Sequence, residues 1–131
     1  MEIEVTLKNL VCAACLALGL GALGMPAALA HGSATSKHGG ISQMAGDLGF
    51  ELVSTPDGVA LYVDDHGKPV APAGITGKLI VLNGTQKSEA DLVAVGDRLE
   101  ARGIKLTPGT KVVAALTTAQ KKAVTVRFTV K

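Results

Sequence analysis

Three histidines, one methionine and a pair of aspartates carry the metal chemistry open to this chain. His31 and His38 lie in one ten-residue stretch, H-G-S-A-T-S-K-H-G-G, and His66 follows Asp64 and Asp65. If the chain is cut before His31, the new terminus presents an α-amine and a ring Nδ1 as one chelate, which suits Cu(II) and its preference for nitrogen ligands in a square plane. A second imidazole, from His38 or His66, would make a three-nitrogen site, with Asp64, Asp65 or water adding oxygen. For Cu(I), Met44 offers a thioether. Each residue also has a plainer reading. His31 is the residue after a cleavage point, His38 a polar residue before a turn, and His66 part of a solvated Asp-His-Gly turn whose carboxylates would orient the ring.

These groups need elements to position them, and the first thirty residues supply none. Leu10–Gly24 is an apolar run of fifteen residues behind Lys8, Pro26 ends it, and Ala28-Leu29-Ala30 is an A-x-A cleavage signal. The run is short for a membrane span of about 20 residues. A cleaved secretory leader over residues 1–30 is the expectation, although Glu2 and Glu4 make its start unusually acidic. Both cysteines, Cys12 and Cys15, fall in the leader, so the exported chain would hold no disulfide, and Cys15 comes too early for lipoprotein processing. Gly19–Gly24 spells G-x-G-x-x-G, but no strand precedes it and no βαβ unit surrounds it, so dinucleotide binding is discarded.

The remaining 101 residues allow one small domain. Losing Lys8, Glu2 and Glu4 leaves a net charge of +3, too weak a basic balance to indicate nucleic acid as a partner. Apart from the leader, no segment is apolar enough to span a membrane. Residues 31–45 are expected to form a flexible histidine-bearing arm, poor in core-forming side chains. Residues 46–131 are expected to form the folded domain, and from Phe50 onward they show a period of two in short runs separated by turn residues. Phe50–Val53 and Val59–Val63 flank Thr55-Pro56-Asp57-Gly58. Leu79–Leu82 is followed by Asn83-Gly84 and Ser88–Val93, then Leu99–Arg102. Val112–Leu116 and Val124–Val130 form the last hairpin. In that final run Val124, Val126, Phe128 and Val130 share one face, so a one-residue slip would expose all four. Six or seven such strands predict an all-β fold, a small antiparallel β-sandwich of the immunoglobulin-like kind, with a partly open β-barrel as the alternative.

Composition also limits function. With no Trp, one Tyr and two Phe, there is no aromatic platform for bases or sugars. No cysteine follows the leader, no serine sits in G-x-S-x-G, and no acid–base pair is visible, so the chain is not expected to be an enzyme. Asn83-Gly84-Thr85 matches a glycosylation acceptor but is better placed as a hairpin turn, and Lys121-Lys122 is a solvated turn.

One combination of residues is familiar. After the A-x-A leader come H-G and His38-Gly39-Gly40, then Phe50-Glu51-Leu52-Val53, Asp57-Gly58, Leu61-Tyr62-Val63-x-Asp65 and Gly67-Lys68-Pro69-Val70. Over roughly residues 38–82 this resembles the periplasmic β-domain near the N-terminus of heavy-metal efflux adaptors of the resistance–nodulation–division type. It is also similar to the small free-standing periplasmic proteins that accompany such pumps. The resemblance implies a Gram-negative periplasmic protein that binds or hands over copper or another divalent heavy-metal ion, with the family's H-G-G at His38-Gly39-Gly40. The chain departs from the adaptors in lacking their coiled-coil hairpin, lipoyl-like domain and barrel. That leaves a carrier, buffer or accessory role beside components of a tripartite pump. The competing expectation is a non-catalytic interaction domain that docks on an efflux or envelope partner through a strand edge and needs no metal.

Overall fold

The computed structural model describes residues 35–131, so the leader and His31 lie outside the described residues. Nine strands follow one another: β1 (Ile41–Ala45), β2 (Leu48–Thr55), β3 (Gly58–Asp65), β4 (Lys68–Pro69), β5 (Thr76–Asn83), β6 (Gln86–Val95), β7 (Arg98–Arg102), β8 (Lys111–Thr117) and β9 (Ala123–Thr129). Every pairing is antiparallel, and the described residues contain no helix. The expected all-β class is what the described residues adopt.

The hydrogen-bonded order is β1-β2-β3-β7-β6-β5-β8-β9, with β4 beside the end of β3. The long strand β6 makes this one sheet rather than two. Its first seven residues, Gln86 to Leu92, pair with β5, and its last three, Val93 to Val95, pair with β7. The sheet rolls up around a single core until β1 and β9, its two ends, approach within 8 Å, Cα to Cα. No ladder joins those two strands. Of the two architectures weighed above, the partly open barrel is the arrangement found.

The core follows from the period of two. Val59, Leu61 and Val63 of β3 point inward against Phe50 and Leu52 of β2, Leu79 and Val81 of β5, Leu99 of β7, Val112 and Ala114 of β8, and Val126 and Phe128 of β9. In β9 the alternation is the one expected: Val126 and Phe128 are buried, while Thr125, Arg127 and Thr129 are exposed. Valine, leucine and alanine make up most of this interior, and Phe50 and Phe128 are its two rings.

One feature corrects the expected organisation, and a second concerns the turn expected at His66. The sheet begins at Ile41, inside the segment 31–45 expected as a flexible arm; five of those residues are strand β1. The alternation failed to show it because Gln43, between Ile41 and Ala45, shares their face. The polar stretch after β3 is also structured. His66 and Gly67 both take positive φ, 54° and 87°, the pattern of a type I′ turn, and carry the chain from β3 into β4.

Leu99 lies fully buried in β7, the strand that links β3 to β6. Leu99→Ala is expected to lower unfolding free energy by about 2–5 kcal/mol in chemical denaturation. Leu82→Ala, at an exposed position on the outer surface of β5, should change it by less than about 0.5 kcal/mol.

Candidate metal-binding site

Glu51 sits in the middle of β2 on the outer face of the sheet, between Ser42 of β1 and Tyr62 of β3, yet it is only 6% exposed. A carboxylate so covered must find donors, since burying an unpaired charge is costly. The segment 36–40 supplies them. The backbone N–H groups of Lys37 and His38 donate to Oε1 and Oε2 at 2.9 and 2.8 Å, and that of Gly40 donates to Oε2 at 2.8 Å. His38 Nδ1 lies 3.0 Å from Oε1.

The two glycines after His38 make this cradle possible. Gly39 takes φ of +76°, which turns the chain back over the carboxylate. Gly40 passes so close to β2 that a Cβ there would collide with the Leu52 carbonyl oxygen and the Val53 side chain. The H-G-G triplet is therefore a backbone device as well as a histidine position. Burial alone would raise the Glu51 pKa. The hydrogen bonds from His38 and from the Lys37, Gly40 and His38 amides outweigh it and hold the carboxyl below its usual value.

That charge fixes the histidine tautomer. An ionised carboxylate can only accept, so the proton in the 3.0 Å contact belongs to Nδ1. In neutral His38 the lone pair is then left on Nε2, the state a metal ion requires, with Glu51 in the orienting position behind it. The ring stacks flat on Tyr62, centroids 3.7 Å apart and planes within 5°. The Tyr62 hydroxyl in turn accepts from Arg98 Nη1 at 3.0 Å, and Arg98 Nε and Nη2 both reach Glu100 Oε2 at 2.8 Å. A row of polar contacts thus crosses the outer face from β2 to β7. Beside the ring is a cavity of about 90 Å³, with Lys37, Asp64, Pro69 and Asp97 among its walls.

The other expected site residues are placed as follows. Asp65 Oδ1 contacts His66 Nδ1 at 2.5 Å, but this pair is largely solvated, with the His66 side chain 80% exposed. Met44 stands partly exposed on β1, paired in register with Gly49, against whose backbone the Asp64 carboxylate folds. His31 lies outside the described residues. Among those described, no three His, Cys, Asp or Glu side chains converge to hold an ion. His38, His66, Met44 and Asp65 are therefore not brought together as one preformed centre. Asp64, named only as an accessory oxygen donor, does share the small cavity with His38. Glu51, Tyr62 and Asp97 were not singled out as site residues. Glu51 did leave a signal, as the lone charge in the otherwise apolar run Phe50–Val53.

No protein-family model matches the chain, and neither any curated protein nor any solved structure matches it.

The Glu51 cradle makes stability acid-sensitive. Because its folded pKa lies below the unfolded value, its contribution is complete above the unfolded value and is lost as pH falls through the folded one. The thermal midpoint of the wild type should fall as pH is lowered through and below that range. Glu51→Gln should lose about 1–3 kcal/mol at neutral pH and show a shallower acid decline. Gly40→Ala, through its collision with Leu52, should cost about 1–3 kcal/mol.

Proposed function

We propose that this protein is an exported, non-catalytic accessory domain of the periplasm that binds a copper or related heavy-metal cation and carries or buffers it for an efflux system. The observation that carries this reading is the His38–Glu51 pair. A solvated surface histidine needs no buried carboxylate behind it, no cradle of three amides around that carboxylate and no flat stack on a tyrosine. This one has all three, and they leave Nε2 as its available lone pair. The arrangement matches that of ligand histidines, whose second nitrogen is tied to a carboxylate or carbonyl.

One imidazole does not make a tight site. The α-amine that cleavage after Ala30 frees on His31, together with that residue's ring, supplies the natural completing donors, separated from His38 by six residues of small and polar composition. Asp64 and Asp97, on the walls of the cavity beside the ring, offer oxygen. The Asp65–His66 pair is open to solvent on both partners and serves as a turn. The resemblance to efflux-adaptor β-domains supports the periplasmic location and the class of metal. The described residues include no helix long and apolar enough to cross a membrane.

Titration of the exported protein with Cu(II), followed by calorimetry and electron paramagnetic resonance, tests the proposal. His38→Ala and His31→Ala are each expected to weaken binding at least tenfold and to change the nitrogen hyperfine pattern. His66→Ala should leave both unchanged. Blocking the α-amine with a tag should reproduce the His31→Ala result. Affinity unchanged in His38→Ala would overturn the assignment. The mass of the exported protein with and without copper reports the cleavage point and the stoichiometry together.

A further inference from the structure

The place where the barrel fails to close is the second unusual feature of the molecule. β1 and β9 are the two free edges of the sheet, and among the described residues no backbone hydrogen bond joins them. Between them runs a groove of about 620 Å³. Its chemistry has two sides. Ile41, Leu106 and Val130, all partly buried and packed on the core, give it an apolar strip. Arg127 of β9 and Lys131 just beyond its end line it with cations, and among the described residues no aspartate or glutamate side chain lines it. The strip is held in place, because Val130 is bonded through its N–H to the Thr110 carbonyl and through its own carbonyl to the Gly109 N–H. On the outer face of β9 a second groove, sharing Arg127 with the first, is lined by Lys87 and Lys111 and, among the described residues, again by no aspartate or glutamate side chain.

We infer that this seam is a docking site for an extended segment of a partner protein in which apolar residues alternate with carboxylates. Unpaired strand edges bind by adding a strand, with main-chain hydrogen bonds giving affinity and alternate side chains giving specificity. A strand that pairs in the seam must part β1 and β9, whose Cα atoms come within 8 Å of each other where an intervening strand needs about 9.6 Å; once paired, it turns every second side chain toward Ile41, Leu106 and Val130. The intervening ones face outward, where Arg127 and Lys131 stand. A period of two in the partner is thus required by the fold, and a negative charge on its outward positions is required by the groove. The site is separate from the metal reading and does not depend on it.

A nine-residue peptide alternating Val and Glu, blocked at both ends, is the probe, and backbone amide shifts of the ¹⁵N-labelled exported protein are the readout. The expected result is a set of shifts confined to β1, β9 and their flanks, weakened at high salt. Affinity should drop at least tenfold in the double variant Arg127→Glu, Lys131→Glu. Both positions are exposed, so the variant should fold, which its spectrum reports directly. The counterpart peptide alternating Val and Lys should bind the double variant better than the wild type. Absence of shifts with the Val–Glu peptide at millimolar concentration would overturn the inference. So would equal binding of the two peptides to the wild type, or binding unaffected by the charge reversal. Association with vesicles of anionic phospholipid in place of the peptide would reassign the cations to a lipid surface and overturn it as well.

Discussion

A single buried carboxylate determines the layout of one whole side of this domain. Glu51 points outward from β2, next to the sheet edge, where water would ordinarily solvate it, but the chain ahead of β1 lies over it. Covering a charge is tolerable only if donors replace the lost water, and charge-assisted hydrogen bonds from backbone amides do so well. Three amides must then converge on two oxygens within a stretch of four residues. That demands a reversal of the chain at Gly39, in the positive-φ region that larger residues adopt only at a cost, and a close approach at Gly40 that a Cβ would block. With these conditions met, the His38 ring lies with its Nδ1 facing the same carboxylate and its face resting on Tyr62. The histidine is placed by the backbone of its neighbours more than by its own contacts.

The same constraint accounts for which short motifs occur together. His38-Gly39-Gly40, the glutamate of Phe50-Glu51-Leu52-Val53, the tyrosine of Leu61-Tyr62-Val63 and the proline of Gly67-Lys68-Pro69-Val70 are scattered over more than thirty residues. The register of β1, β2 and β3 and the short pairing of β4 bring them to one patch of the outer face, with His38, Glu51, Tyr62 and Pro69 all beside the small cavity. In sequence they are turn and strand fragments. In the fold they are parts of one arrangement, and Lys37 ties it to the β3–β4 turn by donating from Nζ to the Gly67 carbonyl at 2.8 Å.

The strands were legible wherever one face is buried and the other is not. β9 announces itself by alternation: of the four residues named for its inner face, Val126 and Phe128 are buried in the core and Val124 and Val130 pack against it. β1 was not legible, because an edge strand with Ile41, Gln43 and Ala45 on its inner face carries too weak a pattern to distinguish from an arm. The choice between sandwich and barrel was not legible either. It turns on β6 changing partners after Leu92, a long-range pairing that no local pattern encodes. At the site, the histidine could be named from its type alone, whereas its partner could not. Glu51 and His38 are thirteen positions apart, and their meeting depends on the register of a strand hidden from the pattern.

The segment 36–40 belongs to both special regions of the surface. On one side its amides close over Glu51; on the other, Ser36, Gly39 and Gly40 form part of the wall of the seam. Ser36 Oγ donates to the Gly40 carbonyl at 2.8 Å and lies 2.8 Å from Ser42 Oγ on β1, which fastens the segment to the free edge of the sheet. A strand edge left open is ordinarily a hazard, because it invites pairing with any extended chain. Here the strap that positions His38 also shields part of that edge, and the barrel is narrowed at the opening rather than sealed. A fold that needed only stability would gain by closing the ladder between β1 and β9. Keeping it open leaves unpaired backbone beside an apolar strip and two cations, an arrangement that stability alone does not explain and that a strand-binding groove does.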